Sequence, residues 1–240
     1  MGKAMYGFVR FLKPFVRLIL PAKIMGQKKF EDKKTIFVIN HNSAWDPIAM
    51  TAYFKNHIKF MYKAEFRKNG FLSGVFDAMD FVPVARGDAD LGAIKKSLSI
   101  LNNDGILGIF PEGTRCPDIE NLKSFHTGAA LLALKTRAPV RFFYIWDKCK
   151  AFRKNYIAVG DEITLDEFYG RKINKELLDE VSSVLWNKLN GLKQDTEKYM
   201  ASIGKKRRKP NKKEKAKLEK YLALRGGKTP ENGRETAVEE

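Results

Sequence analysis

Histidine is the side chain best suited to moving a proton near neutral pH. One stands in the polar turn Asn40-His41-Asn42-Ser43-Ala44-Trp45-Asp46, directly after the apolar run Thr35-Ile36-Phe37-Val38-Ile39. A carboxylate five positions on could hold the imidazole in one tautomer and favour its charged form, as the acid of a catalytic triad does. On a continuous helix, residues five apart point away from each other, because neighbours on one face are three or four apart. His41 and Asp46 can therefore meet only if the chain turns between them. Pro47 suits the first turn of a following helix, where no backbone N–H is needed, and Ser43 is a candidate cap. A loop histidine beside an aspartate serves structure as readily as catalysis, so the pair has to be weighed with the rest of the chain.

Two further strand ends carry chemistry. Asp80-Phe-Val-Pro-Val-Ala-Arg86 reads as a strand ending in a basic residue and followed by Gly87. Gly105-Ile-Leu-Gly-Ile-Phe110 reads as a short buried strand, broken at once by Pro111-Glu112-Gly113-Thr114-Arg115. A flexible glycine, a hydroxyl and a guanidinium can together hold a phosphate, the arginine contributing a bidentate, charge-assisted contact. An ordinary turn stapled by a Glu112–Arg115 pair would use the same residues. Ligands of parallel α/β sheets bind beyond the carboxyl ends of the strands, so a single site gathering His41, Arg86 and Glu112–Arg115 is expected.

The elements that must position these residues follow from periodicity and punctuation. A strand over 35–39 enters the His41 turn, and a helix follows over 47–54. Further strands are expected at 58–63, 80–86, 105–110, 139–146 and 155–159. Helices are expected at 90–102 with Asp88 as cap, at 127–137, and over the long stretch 173–202. Gly70 to Gly74 reads as a loop. Strands alternating with helices at this spacing predict an α/β domain with a mostly parallel sheet flanked by helices. Residues 5–20 are apolar with interruptions at Arg10, Lys13 and Arg17, one stripe of a helix. The segment is too short and too charged to span a bilayer, and it reads as a basic amphipathic helix lying in the membrane interface, the alternative being that its apolar face packs on the protein's own core. From Gly204 the composition turns to Lys-Lys-Arg-Arg-Lys-Pro-Asn-Lys-Lys-Glu-Lys, a solvated basic tail with room for a short helix near 213–224. The organisation expected is thus a membrane-anchoring segment (1–26), a folded domain (27–203) and a flexible basic tail (204–240).

With 240 residues and 44% hydrophobic residues, the chain can bury one sizeable core. Its two cysteines, Cys116 and Cys149, form neither a metal-ligand spacing nor a disulfide framework and fit a reducing cytosolic setting. The balance of 45 Lys+Arg against 28 Asp+Glu, net +17, predicts anionic partners.

Four ordered blocks, Asn40-His41-x4-Asp46, Pro83-Val84-Ala85-Arg86, Phe110-Pro111-Glu112-Gly113-Thr114-Arg115 and Ala138-Pro139-Val140, resemble those of the glycerolipid acyltransferases, most specifically the bacterial-type 1-acyl-glycerol-3-phosphate acyltransferases. The likeness covers roughly residues 30–165, and Gly160-Asp161-Glu162-Ile163 is similar to the family's closing Gly-x-x-Ile turn. The resemblance implies that His41 is the general base taking the proton from the sn-2 hydroxyl of lysophosphatidic acid, with Asp46 orienting it. It implies that Arg86, Glu112, Gly113, Thr114 and Arg115 position the acceptor, with Glu112 as a brace for Arg115 or a hydroxyl contact, and Lys63 as a further basic candidate. No metal or redox cofactor is implied; the acyl donor would be acyl-CoA or acyl carrier protein. The expected location is the cytoplasmic face of the cell membrane, held peripherally on an anionic phospholipid surface, with no nucleic acid as partner. One position departs from the family pattern: where Phe-Lys-x-Gly is usual, this chain has Phe125-His126-Thr127-Gly128. The residues also allow an acyltransferase of another lysolipid, or a non-catalytic basic protein binding membrane or nucleic acid. The basic tail lacks the interleaved aromatics of a single-strand nucleic-acid binder.

Overall fold

The computed structural model describes residues 2–68, 70–85 and 90–225. Among these, seven strands form one sheet: β1 (Ala22–Met25), β2 (Thr35–Ile39), β3 (Ile58–Lys63), β4 (Val82–Val84), β5 (Ile106–Ile109), β6 (Val140–Ile145) and β7 (Asn155–Ile163), in the spatial order β1-β7-β6-β2-β5-β3-β4. From β4 to β6 all neighbours are parallel; β7 turns back antiparallel to β6 and carries β1 beside it, so only this edge runs the other way. The mostly parallel α/β sheet expected from the sequence is present. The helices are α1 (Gly2–Ile19), α2 (Asp46–Tyr53), α3 (Gly70–Ala78), α4 (Leu91–Asn102), α5 (Gly128–Thr136), α6 (Lys175–Ser202) and α7 (Lys212–Arg225).

All five β2 residues are buried, and they alternate between two cores as a period of two requires. Ile36 and Val38 pack with Ala130 and Ala133 of α5 and with Val181 and Leu185 of α6. Phe37 and Ile39 point to the opposite layer, with Leu20, Met50 and Phe54. The central strand is thus covered on both faces, and its carboxyl end emerges between the layers.

Several elements differ from the sequence reading. Ala22–Met25 falls within the expected anchoring segment but forms edge strand β1, paired in register with Asn155–Ala158. Gly70–Ala78 is helix α3 where glycines suggested a loop. Phe76 is packed among Tyr62, Phe66 and Phe81, and this aromatic packing overrides the weak helix propensity of glycine. The cap of α4 is Asp90, whose carboxylate accepts from the Ala93 and Ala85 N–H groups. Asp88, the expected cap, lies outside the described residues. Gly160–Ile163 continues β7 rather than turning, with Glu162 opposite Arg141 and Ile163 opposite Val140. A Cβ on Gly160 would sit 3.1 Å from Leu192 of α6, so the glycine lets helix and strand approach. His57, expected at the surface, is half-buried with Nε2 3.2 Å from the Met79 carbonyl, and burial lowers its pKa.

The basic segment after Gly204 does more than solvate. Arg207 bonds Glu197, the Tyr144 hydroxyl and the Trp146 carbonyl. Glu214 of α7 accepts from Lys148 and Arg208 and pairs with Lys150, and Arg208 foremost holds its carboxyl well below the usual range. An acidic side chain in the basic run thus fastens residues 207–225 to the loop after β6.

Gly108 of β5 has a specific reason to be glycine. A Cβ there would lie 2.4 Å from Phe60 Cε1 and 2.9 Å from Ile58 Cγ2. The missing side chain lets Phe60 lie flat on β5, stacked on Phe110 at 5.5 Å, which in turn stacks on the His41 ring at 4.2 Å. Gly108→Ala should destabilise the fold by about 1–3 kcal/mol through overpacking. The readout is a lower urea midpoint at unchanged slope.

Candidate functional site

β2 and β5 are adjacent and parallel, so the chain leaving each arrives at the same end of the sheet. His41 follows β2 and Glu112–Arg115 follow β5. His41 Nδ1 lies 2.9 Å from Asp46 Oδ2, and the same oxygen accepts the N–H groups of Asn42 and Ser43 at 2.8 and 2.7 Å. The turn required by the five-residue spacing is therefore folded around the carboxylate. Asp46 is fully buried as the first residue of α2, where the helix dipole favours a negative charge, and Pro47 follows in the first turn. An ionised carboxylate only accepts hydrogen bonds. The proton on His41 thus sits on Nδ1, and the Nε2 lone pair is left for a ligand. Ser43, the candidate cap, does another job: its hydroxyl donates to the Cys149 carbonyl and accepts from the Trp45 N–H.

The backbone of His41 is clamped from both sides. Its N–H donates to Glu112 Oε1 at 2.9 Å, and its carbonyl accepts from the Cys116 N–H at 2.7 Å. Just before it, the Asn40 amide forms a two-way bond with the backbone of Ile145 in β6. Three adjacent strands thus contribute to placing one imidazole.

Glu112 departs from both roles suggested for it. Its carboxylate is buried and accepts from the backbone N–H groups of His41 and Lys123, so it braces the turn beneath the site. Burial pushes its pKa up to about 7 against the lowering effect of those two N–H groups. Gly113 (φ +67°), Thr114 and Arg115 are exposed above it, and among the described residues no hydrogen-bond or ion-pair partner occupies the Arg115 guanidinium. A side chain at Gly113 would meet the His126 ring at 2.7 Å, so the imidazole lies directly on the glycine while the backbone N–H of His126 donates to the Pro111 carbonyl. His126 thus packs the turn in place.

Lys123 is the residue that sequence reasoning passed over. Its ammonium donates to Thr114 Oγ1 at 2.7 Å and sits 5.0 Å from the centre of the Tyr221 ring of α7. Its N–H goes to Glu112, and its carbonyl accepts from Trp186 of α6. It stands three residues before His126, the position where the usual lysine is missing. The only signal available in the sequence was a lysine near that gap. Lys63 ends β3, on the far side of β5 from His41. Arg86 lies outside the described residues.

A family model described as Acyltransferase matches residues 22–146, more than half of the chain. The chain belongs to the acyltransferase family. The match ends with β6 and spans the His41 turn and the Glu112–Arg115 turn. No curated protein matches the chain. Among solved structures, the crystal structure of the 1-acyl-sn-glycerophosphate (LPA) acyltransferase PlsC from Thermotoga maritima superimposes with a TM-score of 0.59 at 20% identity, covering 81% of this chain and 79% of that one. At this identity the likeness is one of fold.

Because Glu112 binds its proton more tightly when folded, its contribution to stability falls as pH rises from its ordinary value of 4.5 to about 7. In Glu112→Gln one backbone N–H loses its acceptor, at a cost of about 1–3 kcal/mol. The variant lacks the titration, so the wild type's advantage should narrow by about 2–3 kcal/mol between pH 5 and pH 8. Urea unfolding of both proteins at the two pH values measures it; a gap independent of pH would mean that Glu112 is charged throughout.

Proposed function

We propose that this acyltransferase moves a fatty acyl chain from an acyl thioester to the sn-2 hydroxyl of 1-acyl-glycerol-3-phosphate, giving phosphatidic acid. The observation that carries the reading is the His41–Asp46 pair at 2.9 Å, at the end of the sheet where the turn after β5 bonds the His41 backbone and exposes Thr114 and Arg115, with Lys123 on the Thr114 hydroxyl. Nε2 accepts the proton of the acceptor hydroxyl as its oxygen attacks the thioester carbonyl; the C–O bond forms, the C–S bond breaks and the thiolate leaves. The resulting imidazolium keeps its Nδ1–H on Asp46. A positioned base of this kind supplies about 10²–10⁴-fold in rate. Arg115 and Lys123 contribute the positive charge for the acceptor phosphate, and Thr114 a hydroxyl between them. Direct transfer is favoured over an acyl-cysteine route, because burial pushes the Cys116 thiol up to about 11 and raises Cys149 as well. The donor is acyl-CoA or acyl carrier protein, and no further cofactor enters the scheme.

The reaction is placed at the cytoplasmic surface of an anionic membrane, with the chain bound peripherally. Among the described residues no helix is long and apolar enough to cross a membrane. What supports surface binding is the orientation of α1: Lys13 is buried with its ammonium on the Phe54 carbonyl, Arg17 donates to the Ala52 carbonyl, and Phe11, Phe15 and Leu18 face outward, Leu18 with 77% of its surface exposed. The cations are spent on the end of α2, and the apolar side is left for lipid. Since Leu20 is fully buried and β1 begins at Ala22, truncation beyond residue 19 would damage the sheet itself.

The test is acyl transfer by the purified protein in anionic vesicles, with lysophosphatidic acid beside other lysolipids and with both donors. Phosphatidic acid should form, and His41→Ala and Asp46→Asn should lower kcat by about 10²–10⁴-fold with stability retained. Product from another lysolipid alone would move the acceptor and leave the chemistry. Wild-type rates in His41→Ala would remove the base.

A further inference from the structure

The loop between β6 and β7 holds an aromatic ring in the open. Phe152 is 79% exposed and has φ +57°, a left-handed conformation that is a genuine outlier for a bulky residue. Such a conformation persists only where its surroundings over-determine it, and here they do. The side chain of Asn155, itself buried, donates to the carbonyls of Lys150, Arg153 and Pro21 and accepts from the Lys150 N–H. Lys148 and Lys150 are fastened to Glu214 of α7. The Phe152 N–H donates to the Ile19 carbonyl at 2.5 Å, so the loop tip is joined to the end of α1 beside exposed Leu18 and Ile19. Nothing in this arrangement buries the ring.

The same loop reaches the catalytic turn. The Cys149 carbonyl accepts from the Ser43 hydroxyl, and Trp45 and Ile48, partly exposed, follow directly along the chain. After Phe152 come Arg153 and Lys154, both exposed, whose side chains have no hydrogen-bond or ion-pair partner among the described residues. An exposed aromatic followed by two uncommitted cations, continuous with the apolar face of α1, has the composition of an interfacial anchor: ring in the acyl boundary, cations at the anionic headgroups.

We propose that residues 147–154 form a second membrane-contacting element, with Phe152 inserting into the anionic lipid surface beside α1. With α1 it makes a two-point contact that turns the His41 end of the sheet toward the bilayer. This rests on the membrane reading of α1 given above and extends it to a part of the fold distant in sequence.

The test uses the full chain with an environment-sensitive nitrobenzoxadiazole label on Phe152→Cys and, as control, on Glu167→Cys, an exposed position in the 3-10 turn after β7; both native cysteines are buried. On adding vesicles of phosphatidylcholine and phosphatidylglycerol, the label at 152 should shift to the blue and be quenched by lipid-borne quencher, and the label at 167 should do neither. Phe152→Ser should weaken vesicle binding by about 5- to 20-fold, from the apolar area withdrawn. Arg153→Gln and Lys154→Gln should each weaken it by about fivefold, less in high salt. Thermal unfolding of all three should match wild type. If the protein binds vesicles while the label at 152 stays in water, the loop proposal is overturned and α1 remains the anchor. If wild type binds no vesicles, the membrane reading itself falls.

Discussion

A carboxylate withdrawn from water must be given hydrogen bonds, and here two of them, Asp46 and Glu112, take theirs from one turn. Asp46 gathers the N–H groups of residues 42 and 43 and the imidazole of His41, while Glu112 takes the N–H of His41 itself. The turn has few ways to fold that supply both, and all three donors to Asp46 fall on Oδ2. The two acids do different work from similar burial: Asp46, at a helix N-terminus with three donors on one oxygen, addresses the imidazole of His41. Glu112 is driven up to about 7 by burial, with a smaller push from the charge of Asp46 and against its two backbone donors, and it serves the backbone. An acid that looks like a ligand in the sequence is thus a foundation for the exposed residues Gly113, Thr114 and Arg115 above it.

The aromatic column makes the same end of the sheet rigid. Phe60 can lie against β5 only because Gly108 has no side chain, and Phe110 carries the stack on to His41. Imidazole orientation is therefore set by packing on one face and by hydrogen bonding to Asp46 at its edge. In the proposed reaction such support matters, because a looser ring would forfeit much of the gain from positioning.

The polar and apolar surfaces around this end are divided between two flanks. Residues 207–225 are fastened inward at a few points, with Arg207 on β6, Glu214 tying the β6–β7 loop and Tyr221 lying on Lys123. On the other side, α1 spends Lys13 and Arg17 on the carbonyl end of α2 and turns Phe11, Phe15 and Leu18 outward. Turning both cations onto helix carbonyls leaves Phe11, Phe15 and Leu18 as an outward apolar stripe.

By itself, the sequence determined the local facts: apolar runs long enough for strands, the break after each, the order of the blocks, and a His41–Asp46 spacing that demands a turn. These were legible because each depends on residues within one element, and together they determine an α/β sheet with chemistry at its carboxyl ends. Only the tertiary structure decided matters that depend on what lies across the fold. Gly70–Ala78 became helical because Phe76 found aromatic partners, and Ala22–Met25 became a strand because β7 offered an edge. Glu112 was read as a substrate residue because its partners, 71 and 11 positions away, are backbone groups that no side-chain pattern reveals. Lys123 and Tyr221 came together because α7 folds back, and Phe152 came to stand beside Ile19 because Asn155 binds both chain segments. Backbone hydrogen bonds and contacts between distant elements leave no periodic trace in sequence, since any residue can supply an N–H, a carbonyl or a surface to pack against.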